Sequence, residues 1–133
     1  MKTLIIFFSL LWCTLCTGQS NDAYSTIDFV EILNNNKDEA IYYYENNWKI
    51  LREKALTKSY ISSYKLLEVS HSKEAPFHLM LITSFSDKAQ YDACETNFQL
   101  LISERGSLNL LNDKPPGEFR RIVFSKDHVI HRN

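Results

Sequence analysis

Apolar and polar positions alternate along this chain with two periods, one near two residues and one near three and a half. From Ile61 to Phe85 the runs ISSYKLLEVS and PFHLMLITSF flank the polar turn HSKEA, which predicts a β-hairpin with strands over Tyr60 to Ser70 and Phe77 to Phe85. Upstream, YSTIDFVEIL alternates as a first strand, with Ile27, Phe29 and Leu33 on one face and Tyr24, Val30 and Ile32 on the other. Between these strands Ile41, Tyr44, Trp48, Leu51 and Ala55 recur at helical spacing and predict a helix from Lys37 to Ala55. Asn34, Asn35 or Asn36 would cap it, Asp38 and Glu39 would lie in its first turn, and Lys49, Arg52 and Lys54 would occupy solvated positions.

Beyond the hairpin, Asp87 and Gln90 resemble a capping box. They precede a second stripe, Tyr91, Cys94, Phe98, Leu101 and Arg105, that ends at Gly106. A loop fixed by Pro115 and Pro116 leads to a fourth strand, EFRRIVFS, with Phe119, Arg121 and Val123 opposite Arg120, Ile122 and Phe124; the tail KDHVIHRN extends it or frays. The order is strand, helix, strand, strand, helix, strand. It predicts an α+β, ferredoxin-like βαββαβ fold whose four-stranded antiparallel sheet carries both helices on one face. A sheet with one solvated face alternates cleanly. Here Phe77, Leu79, Leu81 and Phe85 face one way, yet Met80 and Ile82, on the other side, are apolar too. The second face is therefore expected to be covered by another copy of the chain.

The first 18 residues change the compartment. Lys2, the uncharged apolar run from Leu4 to Cys16 and the small residues Cys16 and Gly18 form the pattern of a secretory signal peptide cleaved near Gly18/Gln19. The run is shorter than the roughly 20 residues that span a bilayer, and no later segment is long enough. Residues 19–133 are then expected as one secreted or periplasmic domain of ~115 residues, enough for a single core. Cys13 and Cys16 leave with the leader, so only Cys94 remains and no internal disulfide forms. Loss of Lys2 takes the formal charge from −1 to −2. With no basic patch and interleaved aromatics, nucleic acid is not an expected partner.

Trp48 in the first helix, the passage LTKSYISSYKLLEV into the second strand and the closing GEFRRIVF resemble the dimeric α/β-barrel superfamily, particularly its small exported bacterial members. The resemblance covers nearly all of residues 19–133 at the level of pattern. It implies two ferredoxin-like subunits packed sheet against sheet as a homodimer, with a ligand cavity between sheet and helices. Members include monooxygenases of small aromatic substrates, haem-handling enzymes, isomerases and proteins without an established activity, so the fold does not select a function. The catalytic residues of no enzymatic branch map onto this sequence.

Missing parts exclude several chemistries. Gly106 and Gly117 are the only glycines after the leader, so there is no phosphate cradle or dinucleotide fingerprint, and no G-x-S-x-G elbow occurs. Cys94 lies on an apolar stripe, where a thiol packs as a small hydrophobe. His71 with His78 across the hairpin, or His128 with His131 if the tail is helical, would suit zinc or axial ligation of haem, but neither pair has a third ligand in register and ordinary surface histidines are the expected reading; no metal site or catalytic set is assigned. One polar cluster stands out: Trp48 and Arg52 on the first helix, Tyr64 and Glu68 on the second strand, and His78 on the third. In a cavity, Glu68 or His78 would act as a base and Arg52 would hold an anion. Otherwise these are a core tryptophan, a tyrosine at the dimer seam and solvated charges. The sequence thus predicts an exported homodimer that binds a small apolar or aromatic ligand or serves a structural role in the envelope. The alternative is a cofactor-independent or haem-dependent oxygenase or isomerase that uses the cavity.

Overall fold

The structure is a computed structural model that describes residues 22–132; the expected leader lies outside them. Its strands are β1 (Tyr24–Ile32), β2 (Ser63–Glu68), β3 (Leu79–Phe85) and β4 (Arg120–Ile130), and all neighbouring strands run antiparallel in the order β2-β3-β1-β4. Among the described residues no helix is long and apolar enough to cross a membrane.

β1 is the interior strand whose alternation sets both faces. Tyr24 lies opposite Phe85 and Val30 opposite Leu79, so Val30, Leu79 and Leu81 point to the helices and are buried. Each such side chain contributes about 1.5–3 kcal/mol by leaving water. The helical layer starts with α1 (Lys37–Tyr43), passes through a π-turn at Tyr44–Trp48 and continues as α2 (Lys49–Thr57). Lys49 N–H reaches back five residues to the Tyr44 carbonyl, and the widened turn buries Tyr44, Asn47 and Trp48. Tyr44 and Trp48 join Val30, Leu79 and Leu81 in one core cluster. Leu51, Ala55, Ile61, Phe85 and Leu101 form the other.

The same layer is completed by α3 (Lys88–Asp92) and α4 (Cys94–Arg105), separated at Ala93, and a short α5 (Pro116–Phe119) leads into β4. Asp87 caps α3 by accepting from Gln90 N–H at 2.8 Å, and the Gln90 side chain accepts in return from Ser86 N–H rather than from the cap residue's own amide. Gly106 ends α4 at φ +76°, a value that favours glycine. At the other helix start the asparagines do a different task from the expected capping. Asn34 and Asn35 adopt positive φ, and Asn36 sits at the N-cap with its side chain turned to Glu118 and Lys114.

Two register shifts in β4 alter the expected alternation. Val30 pairs with Ile122 but Phe29 with Phe124, so Val123 is an extra residue and Phe124 lies on the same face as Arg121, not opposite it. A second shift lies between Lys126 and Val129, where His128 has φ +56°, and the tail continues in the ladder to Ile130. Phe119 belongs to α5, not to the strand, and is buried beside Tyr43. Phe77 also departs from the expected face. It precedes β3, so no ladder bond fixes its direction, and its ring packs with Phe29 and Phe124 on the side away from the helices.

Asn47 ties the helical layer to the segment after α4. Its amide donates to Tyr43 O at 2.9 Å and Asn109 O at 2.7 Å, and its carbonyl oxygen accepts from Asn109 N–H at 2.8 Å. With three bonds of about 1 kcal/mol each at stake, Asn47→Leu is expected to lower stability by about 2–3 kcal/mol, read as a fall in the urea midpoint with an unchanged slope.

Candidate functional site

The helix-facing side of the sheet and the helices above it enclose a cleft of about 250 Å³. Asp28 of β1, Leu81 of β3 and Arg120 with Ile122 of β4 form its floor. The roof comes from Tyr44 and Trp48 in the π-turn, Leu51 and Arg52 in α2, and Ile102 and Arg105 in α4. These residues meet because Asp28 shares the parity of Val30 on β1, and because Arg105 closes the stripe that begins at Tyr91.

Buried polar atoms in folded proteins almost always find a partner. Four around this cleft do not: the Tyr44 hydroxyl, Trp48 Nε1, Arg105 Nε and Arg120 Nε. Asn47, in the same turn, is fully bonded, so the unpartnered atoms are not a general looseness of the segment. Burial holds the Tyr44 hydroxyl well above the usual phenol range. The Arg120 guanidinium beside it opposes that shift without meeting hydrogen-bond geometry.

The arginines are held by rings. The Arg52 guanidinium lies 4.5 Å from the Trp48 ring centre and 4.4 Å from that of Phe98, and its Nε donates to Thr83 Oγ1 at 3.2 Å. Burial draws Arg52 down to about 10, with the Asp28 carboxylate acting in the opposite sense. Arg120 lies over the Tyr43 ring and donates to its hydroxyl at 3.2 Å. Asp28 accepts from Ser125 Oγ at 2.5 Å.

Of the five residues singled out by sequence, Trp48 and Arg52 line this cleft. Tyr64 touches it indirectly, packing edge-on against Trp48 at 5.9 Å while its hydroxyl donates to Glu53. Glu68 and His78 lie elsewhere. Glu68 forms an ion pair with Lys37 on the rim of a larger hollow of about 640 Å³ between α1 and the β2 edge. That hollow is the roomier of the two, but its Lys37 and Glu68 are exposed and already paired, so it presents no buried group in need of a ligand. Arg52, expected on a solvated helix face, instead lies between two rings. Trp48 of the π-turn and Phe98 of α4 supply those rings.

His71 and His78 do approach one another, their rings stacked at 4.6 Å. His78 is no ordinary surface histidine: its Nδ1 accepts from Ile32 N–H at 3.0 Å. His128 and His131 go separate ways, His128 against Tyr24 and Tyr91, and His131 to Ser25 Oγ at 2.8 Å. Ser25 also bonds Ser84 at 2.7 Å, so the trio forms a closed polar knot on the face away from the helices. Among the described residues no group of three or more His, Cys, Asp or Glu is placed to hold a metal. The Cys94 thiol is free and half-buried, and burial raises its pKa.

Sequence reasoning missed Asp28, Tyr44, Arg105 and Arg120 as site residues, although the signal was present. Asp28 is a charge in the row of Tyr24, Val30 and Ile32, Arg105 is a charge on an apolar helical stripe, and Arg120 shares a face with Ile122. Inward-facing charges are uncommon unless paired or used.

No family model matches the chain, and no curated protein matches it. Among solved structures, the crystal structure of HapK from Hahella chejuensis is similar, with a TM-score of 0.48 and 13% sequence identity over 83% of this chain and 91% of that one.

Burial, and next the neighbouring His71, lower the His78 pKa from its ordinary value of 6.5, and its neutral form is the one that accepts from Ile32. Below that value the unfolded chain binds more protons than the folded one, so this group's contribution to stability is present above pH 6.5 and is lost as pH falls. Thermal melts between pH 7 and pH 5 are expected to show a decline that His78→Asn, which keeps an acceptor but does not titrate, removes in part.

Proposed function

We propose that this protein is an exported, ferredoxin-like subunit of the dimeric α/β-barrel type that binds a small molecule with an aromatic or aliphatic body in the cleft between helices and sheet. The observation that carries this reading is the set of four unpartnered buried polar atoms around one aromatic-walled cleft. Leaving a buried polar group unsatisfied costs about 1–3 kcal/mol each, a cost that a bound ligand offsets. The strand order β2-β3-β1-β4 and the single-sided helical layer support the fold assignment. Export rests on the leader pattern of residues 1–18.

Haem does not suit this cleft. Haem is larger than a drug-sized ligand, and about 250 Å³ falls below the roughly 300–1,000 Å³ of pockets that hold one. A cofactor-independent oxygenase or isomerase is the second reading. Asp28, the one carboxylate in the lining, favours it, since a carboxylate beside a bound substrate can take a proton.

The homodimer is the remaining part of the proposal. Away from the helices, Phe29 stacks on Phe124 at 4.3 Å with Phe77 beside them, and Ile27, Met80, Ile82 and Leu67 extend the apolar surface. Phe124 is 41% exposed and Leu67 38%, a degree of exposure that a second sheet removes. The Glu31–Arg121 pair on the same face gives a polar margin that a two-fold axis can match with itself.

Native mass spectrometry of the chain purified from its secreting host reads both parts together. A dimer with retained small-molecule mass is expected, with the mass of a chain starting at Gln19. A bare monomer would sink both the dimer and the carrier reading. Phe124→Lys is expected to shift the species to monomer by sedimentation velocity while leaving the circular dichroism spectrum unchanged.

A further inference from the structure

Resting on the ligand-binding reading above, we infer that the ligand of this cleft is a small organic anion, a carboxylate or an equivalent oxyanion on an apolar body, whose charged end is held by Tyr44, Trp48, Arg105 and Arg120. Three of the four unpartnered atoms are obligate donors, and the fourth can donate as well as accept. An indole N–H and a guanidinium Nε–H can only donate, and a phenol hydroxyl can donate. A site with three obligate donors calls mainly for acceptors and disfavours ammonium groups, which bring donors to donors.

The balance of charge points the same way. Arg52, Arg105 and Arg120 line the cleft with Asp28 as the only carboxylate, and Asp28 already accepts from Ser125. The ion pairs of the described residues lie elsewhere, at Lys37–Glu68, Lys88–Asp92, Lys114–Glu39 and Arg121–Glu31. Among the described residues none of the three cleft arginines is within ion-pair distance of a carboxylate. Rings hold Arg52 and Arg120 in place, so their orientation does not depend on an acidic partner. Covered cations normally carry a partner anion, because desolvating an ion costs several kcal/mol. Here, among the described residues, Asp28 acts on Arg52 only from beyond ion-pair distance, and a bound oxyanion supplies the close partner. A carboxylate has about four lone-pair sites on two oxygens, enough to receive the four waiting donors. Leu51, Leu81, Ile102 and Ile122 then surround its apolar body, and the volume limits that body to roughly one ring.

Isothermal titration of the full chain with benzoate, and in parallel with benzyl alcohol and benzylamine, tests this. Benzoate is expected to bind at least ten-fold more tightly than benzyl alcohol, with benzylamine weakest. The indole N–H resonance of Trp48, assigned by its loss in Trp48→Phe, is expected to shift with benzoate. Arg120→Gln is expected to weaken benzoate at least ten-fold with little change for benzyl alcohol, and Arg120→Lys to recover part of the loss. Thermal melts report whether each variant is folded. Should Arg120→Gln not fold, Arg105→Gln carries the same comparison. Equal affinity for benzoate and benzyl alcohol would overturn the anion assignment and leave the binding reading intact. Binding of none of the three probes would overturn both.

Discussion

The pairing of β1 with its two neighbours is the constraint on which the rest depends. Its alternation sends Tyr24, Asp28, Val30 and Ile32 toward the helices and Ser25, Ile27, Phe29 and Glu31 away from them. A one-residue slip would exchange the two sets, placing Phe29 in the helical core and Val30 outside. With the register fixed by Val30 against Leu79, the helical layer has one apolar surface to cover, and Asp28 is carried beneath it as a consequence of parity. The cleft follows from this placement, since helices cannot close tightly over a carboxylate on an interior strand and an arginine on the neighbouring edge strand.

The π-turn answers the same constraint from the other side. The widened turn spans Tyr44–Trp48, and Tyr44, Asn47 and Trp48 within it are all buried. Asn47 is spent on structure, holding the segment at Asn109. Tyr44 and Trp48 keep their polar atoms free. The local arrangement thus separates a structural polar residue from two residues available to a ligand. Bulges in β4 act similarly on the opposite face, where the extra residue Val123 turns Phe124 into line with Phe29 and gathers the aromatic surface proposed for the second subunit.

Element existence was legible because it rests on local periodicity. The strand of YSTIDFVEIL, the stripe through Tyr44, Trp48, Leu51 and Ala55, the cap at Asp87 and the stop at Gly106 all occur where the pattern put them. Opposite directions for Arg120 and Arg121 follow from the strand period as well, and they meet Tyr43 and Glu31 respectively. The site was read in part. Trp48 and Arg52 belong to it, while Glu68 and His78 lie away from it, because neighbouring positions on a strand do not determine which helix covers them.

By itself, the sequence determined which segments are helix or strand and which side chains share a face, because those properties depend on neighbours a few residues apart. It also contained the inward charges Asp28, Arg105 and Arg120 without joining them. Only the tertiary structure decided that these three, from β1, α4 and β4, converge with Tyr44 and Trp48 on one cleft, and that Val123 and Phe77 break the expected alternation. Convergence depends on packing between elements distant in the chain, and bulges depend on the register of a partner strand. Neither is written in any local window of residues.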